Sequence, residues 1–122
     1  MQAQIQHITT YNGIIGAVLR GRREQMGLEQ AQIAQRLGLT QSSYSRIESG
    51  KTSLTLVQLS DIAPHFGLNP QGFITQVERI KSDMERQGIV VTPDKEPGLG
   101  EGVTNILIGA TLLAVVTQML RK

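Results

Sequence analysis

Cysteine is absent from the 122 residues, which excludes a disulfide framework, a thiolate metal site and a cysteine nucleophile. Tryptophan is absent too, and aromatic residues make up only 3%. A core with so few rings must be aliphatic, which suits a small helical bundle better than a sandwich or barrel. The two histidines, His7 and His65, are too few and too far apart to suggest a metal site. His65, directly after Pro64, reads as a surface or helix-end residue. Serines are plentiful, but no nucleophile motif surrounds them. No catalytic residue, metal or other cofactor is expected, and nothing points to an enzyme. The opening segment MQAQIQHITTYN has no basic region followed by an apolar run, so no secretory signal is expected.

Charge is also scarce, and unevenly spread. The formal net charge is +2. Residues 1–81 carry eight bases against five acids, and residues 82–122 carry four against five. A mildly basic front half permits an acidic polymer as partner without demanding one.

What is present is helical periodicity, repeatedly stopped. Over 12–26 the residues Ile14, Ile15, Val18, Leu19 and Met26 mostly share one face, with Arg22 intruding on it and Gly27 as the stop. Residues 29–37 put Ile33, Ala34 and Leu37 on one side, and Gly38 ends them. Thr40 stands at a cap position before a third short helix over 41–49, which stops at Gly50. Thr55 caps a fourth helix bearing Leu56, Leu59, Ile62 and Ala63, where Pro64 forces a kink or early end. Asn69-Pro70 opens a longer fifth helix carrying Phe73, Val77, Ile80 and Met84, up to Gly88. The glycines and prolines of 88–102 read as a linker. There is no internal repeat. The expected organisation is all-α: an N-terminal arm over 1–12, a five-helix domain over 13–87, the linker, and an apolar helix over 103–122.

The third helix is polar for so short an element, with Tyr44 and Ile47 its only apolar residues. Gly50-Lys51-Thr52 resembles the tail of a phosphate-binding loop, but that loop needs a glycine five residues before Gly50, after a buried strand. Position 45 is Ser45, in a helical segment, so the loop reading fails. The joint between the second and third helices explains more. Two short helices joined by Gly38-Leu39-Thr40 form a helix-turn-helix pattern, whose second helix enters a DNA major groove. Tyr44 and Ile47 would hold that helix to the body, leaving Gln41, Ser42, Ser45 and Arg46 facing outward. Glutamine offers paired hydrogen bonds to adenine and arginine to guanine.

Residues 15–74 resemble the lambda-repressor-like, XRE-type helix-turn-helix family of transcriptional regulators. The resemblance rests on R(x6)Q(x2)IA(x2)LG(x)TQ(x5)IE(x)G, running from Arg23 to Gly50, and reaches all five helices. It implies a five-helix DNA-binding domain and roles for matching positions. Gln41, Ser42 and Arg46 would read bases, with Ser45 a further reader. Gln30 would bind a phosphate and buttress Gln41, while Ser49 and Lys51 would lie against the DNA backbone. Arg23 and Glu48 match a structural ion pair between the first and third helices. Four positions depart from the family pattern. Glu29 replaces a Ser/Thr cap, Arg22 an apolar residue, Leu54 a frequent proline, and Pro64 interrupts the fourth helix. Glu29 suits a helix N-terminus yet would repel a nearby phosphate; the stem of Arg22 must snorkel past the core edge.

The last segment is uncharged for 19 residues, from Gly102 to Leu120, nearly the length that crosses a bilayer. Its nine Val, Ile and Leu residues favour insertion by roughly −3 to −5 kcal/mol. Asn105, Gln118 and three threonines oppose it. Projected as a helix, Ile108, Leu112, Leu113, Val116 and Met119 lie on one side, an asymmetry that favours packing on a partner helix. Arg121-Lys122 beyond the apolar run also sits badly with the positive-inside tendency. The expectation is therefore a cytoplasmic, nucleoid-associated regulator of transcription that binds double-stranded DNA, a repressor acting as a homodimer or higher homo-oligomer through its tail. The alternatives are an antitoxin-like interaction module whose tail binds a partner protein, and a regulator tethered to the inner membrane by residues 103–120.

Overall fold

Helix starts in the computed structural model, which describes residues 6–93, 103–106 and 109–120, are set by side chains that accept the first free backbone N–H groups. Thr10 Oγ1 accepts from the Gly13 amide at 2.9 Å and opens α1, Tyr11–Gln25. Thr40 Oγ1 accepts from the Ser43 amide at 3.1 Å and opens α3, Gln41–Glu48. Thr55 and Gln58 exchange hydrogen bonds with each other's backbone to start α4, Leu56–Ile62. Asn69 caps α5, Pro70–Arg86, with proline in its first turn. At α2, Gln30–Leu37, Glu29 is the cap residue, and Gln32 Oε1 accepts from its amide at 2.7 Å. Pro64 ends α4: Ala63–Phe66 tighten into a 3-10 turn.

The core is aliphatic apart from Tyr44, Phe66 and Phe73. Ile14, Val18 and Leu19 of α1, Ile33 of α2, Ile47 of α3, Ile62 of α4 and Val77, Ile80 and Met84 of α5 are all buried. The crossing of α1 over the end of α3 needs glycine at two points. A Cβ on Gly16 would lie 2.3 Å from the Glu48 carbonyl oxygen. One on Gly50, which has φ +79°, would lie 2.7 Å from Gly13 Cα. Close backbone approach and a left-handed turn, rather than a phosphate loop, explain Gly50.

Outside the five helices the structure departs from the sequence reading. The N-terminal arm contains a strand, β1, Gln6–Thr10. The supposed linker contains a second, β2, Val90–Thr92. The apolar tail is not one helix but a third strand, β3, Val103–Ile106, and a 12-residue helix α6, Gly109–Leu120. β1 lies between the other two and pairs with both in parallel. Ile8, Thr9 and Thr10 face Val90, Val91 and Thr92, while His7 and Ile8 face Asn105 and Ile106. The physical reason is β-branching: Ile, Thr and Val fit a pleated surface better than a helix. Such short strands carry little local signal, because their partners are far away in the chain.

α6 packs along α1. Leu112, Val116 and Met119 are buried, spaced four and three residues apart. The face of α1 beside α6 carries Gly13, Ala17 and Gly21. A Cβ on Gly13 would meet Leu112 at 3.2 Å, and one on Gly21 would meet Leu120 at 3.1 Å. Small residues let the two helices approach closely. The surface on which the oligomerisation stripe rests is therefore α1 of the same chain; Leu113 is half-buried beside it, and Ile108 lies outside the described residues. Among the described residues no helix is long and apolar enough to cross a membrane. At 1.5 Å per residue α6 spans only about 18 Å of a hydrocarbon core roughly 30 Å thick.

Candidate nucleic-acid interface

The turn between α2 and α3 is made by Gly38, whose φ of +68° is the left-handed conformation that a helix end commonly requires. The Leu39 amide then donates to the Ala34 carbonyl at 2.9 Å, and Thr40 opens α3. Tyr44 and Ile47 are buried beneath α3. Gln41, Ser42 and Arg46 are exposed on it, and Ser45 is half-buried. Two apolar anchors thus present three polar side chains outward, from the helix start and one turn further on.

The end of α3 converges on the Arg46 carbonyl oxygen. It accepts from Ser49 Oγ at 3.1 Å and from the Lys51 amide at 2.9 Å. Ser49 is half-buried and the Lys51 side chain is exposed. Asn12 Nδ2 donates to Ser53 Oγ at 3.0 Å, tying the start of α1 to the loop after α3.

Beneath the exposed face lies a buried charge network. Arg23 Nε donates to Glu48 Oε2 at 2.7 Å and Arg23 Nη2 to Glu48 Oε1 at 3.1 Å. Arg23 Nη1 donates to the Leu28 carbonyl at 2.8 Å. Gln30 Nε2 reaches the same carboxylate, 2.9 Å from Oε1. One carboxylate therefore joins α1, α2 and α3, while Arg23 ties in the α1–α2 loop. Bidentate geometry and a third donor offset the desolvation of ions only 8% and 6% exposed. The hydrogen bond to Glu48 holds the Arg23 pKa above its ordinary value, against burial. The Tyr44 hydroxyl lies near Glu48 without a well-formed hydrogen bond. Burial first, and then the Glu48 charge, push it far above the usual tyrosine range, so it stays neutral.

Sequence reasoning missed the inward bond from Gln30 to Glu48, for which spacing holds no signal. It also missed the neighbour of this face. A cleft beside the network is bordered by Ala17, Arg20, Gln30 and Ser45 on one side and by Leu112 and Leu113 of α6 on the other. Arg20 is partly occupied by Glu24, 3.6 Å away. Arg22 is half-buried, and its Nε has no hydrogen-bond partner among the described residues, the consequence of a cation at the core edge. Among the described residues no group of three or more potential ligands could hold a metal ion.

Comparison with known proteins bears on this face. Over 63% of its length the chain is similar in structure to the clp gene regulator ClgR from Corynebacterium glutamicum, covering 82% of that chain, with a TM-score of 0.58 at 17% sequence identity. At that identity the likeness concerns the fold. Residues 14–72 match the family described as a helix-turn-helix domain, a span from α1 into the first turn of α5. That span, 59 of the 122 residues, carries a helix-turn-helix domain.

Proposed function

We propose that this chain is a sequence-specific, DNA-binding regulator of transcription, a repressor that acts as a dimer and reads the major groove with α3. The observation that carries this reading is the exposed trio Gln41, Ser42 and Arg46 on a helix whose other face is anchored by Tyr44, Ile47 and Glu48. Gln41 at the first helical position can pair with an adenine edge, and Arg46 with guanine O6 and N7. Lys51 and Ser49, just beyond α3, suit backbone phosphates. Gln30 can join them without leaving Glu48, because its amide nitrogen carries two N–H donors and the network uses one. Dimerisation follows from reach: a single module touches few bases, and two-fold pairing on half-sites supplies the rest. A gene regulator among proteins of the same fold is consistent with this role.

Selection of duplexes from a random pool by the full-length protein tests the reading. A defined motif is expected. Arg46→Ala should then relax preference at one base position by about 1–3 kcal/mol, whereas Lys51→Ala should weaken all sequences alike and flatten the salt dependence. No enrichment, or an Arg46→Ala protein with the same motif, would remove α3 as the reader.

A further inference from the structure

α6 stands where a DNA-binding face would want open space. Its Leu112 and Leu113 border the same cleft as Gln30, Ser45 and Ser49. On the reading above, two of those three lie against phosphates. A duplex seated on Gln41, Ser42 and Arg46 would bring its backbone to that edge. Over Gly109–Leu120 α6 has no charged residue, so it offers a phosphate neither a cation nor counterion release. It meets the backbone as an uncharged wall.

The contact is asymmetric. Departure of α6 uncovers only Gly13, Ala17 and Gly21 on α1 but exposes the buried Leu112, Val116 and Met119 of α6, so the docked form is the resting one. The larger residues Ile14, Val18 and Leu19 belong to the core shared with the other helices. At Gly21 the three nearest atoms to an added Cβ all belong to α6, on Leu120, Leu113 and Thr117.

We propose that α6 is an autoinhibitory cover: docked on α1, it restricts the DNA backbone's access to the Gln30–Ser49 edge, and binding at full strength requires it to swing away. The proposal rests on the DNA-binding reading and adds a switch to it.

A reversible lock tests it in the full chain. The protein has no cysteine, and Thr117 Oγ1 lies 4.0 Å from the Cβ position of Gly21, so Gly21→Cys with Thr117→Cys places two thiols within reach of a disulfide. The probe is a duplex selected from a random pool by the reduced double variant. Oxidation should weaken its binding roughly 10-fold or more, and a reductant should restore it. Gly21→Leu, whose side chain collides with Leu120 and prises α6 off, should bind more tightly than the unsubstituted protein. Equal affinity of the oxidised and reduced forms would overturn the cover. So would a thiol pair that fails to oxidise, since α6 would then not dock at Gly21. A reduced protein that selects no duplex removes the DNA-binding reading itself, and the switch with it.

Discussion

Between Tyr11 and Arg86, four of the five helices begin on Thr10, Thr40, Thr55 or Asn69, each accepting from a backbone amide three residues on. The sheet and α6 are held differently. β1 finds its partners at 90–92 and 103–106, and α6 finds its own on α1 at the opposite end of the chain. One region is specified by neighbours in sequence and braced by a single buried carboxylate. The other depends on long-range pairing and on a face of small residues. Two kinds of stability in one small protein should fail separately, and three substitutions show whether they do.

The largest effect is expected from Arg23→Ala. It leaves Glu48 buried with only the neutral amide of Gln30 donating to it from the former network, and should cost about 3–5 kcal/mol. Replacing Arg23 and Glu48 together by apolar residues should cost less. Thermal melts of both variants against the parent decide it, and an unshifted Arg23→Ala melt would show that the network does not brace the body.

Leu112→Ala removes a side chain that is 1% exposed in the contact between α6 and α1, for a loss of about 2–5 kcal/mol. That loss should stay in the flank. Amide exchange should quicken in α6 while α2 and α3 keep their protection. Uniform quickening throughout would erase the distinction between the two regions.

The smallest effect is expected at Thr40, whose Oγ1 accepts from the Ser43 amide and donates to Ser43 Oγ at 2.9 Å. Thr40→Ala should lower stability by about 1 kcal/mol, read as a shift in the urea midpoint without a change in slope. A larger loss would mean that the cap also supports the α2–α3 turn.

The same contrast explains what could be read in advance. Gly27, Gly38 and Gly67 all stand at positive φ where helices or turns end, and Pro64 shortens α4 as its missing N–H requires. These are local signals and the sequence carries them openly. The outward position of Gln41, Ser42 and Arg46 is legible for the same reason, because Tyr44 and Ile47, three residues apart, must face the body. The pairing of Arg23 with Glu48 was suggested only by family resemblance, since 25 residues separate them. The strands were hidden. Val103–Ile106 merges into an uncharged run that looks like one long helix, and nothing near Gln6–Thr10 announces partners so far along the chain. Gly13, Ala17 and Gly21 recur every four residues in plain view, but without α6 beside them they look like ordinary weak points in a helix.

The central place of β1 has a bearing on how the chain is made. The Thr92 hydroxyl donates to the Thr9 carbonyl across 83 positions, so the middle strand of the sheet is synthesised long before either of its neighbours. At roughly 5–20 residues per second, β1 leaves the ribosome about 4–17 s ahead of β2. The intervening helices make mostly short-range contacts and can assemble far faster than that. While α1 to α5 emerge and assemble over those seconds, the leading strand keeps both hydrogen-bonding edges open. Closing the sheet is then a late event in biogenesis, and the newborn chain passes through a stage in which a nearly finished domain carries a bare β-edge that other polypeptides could join.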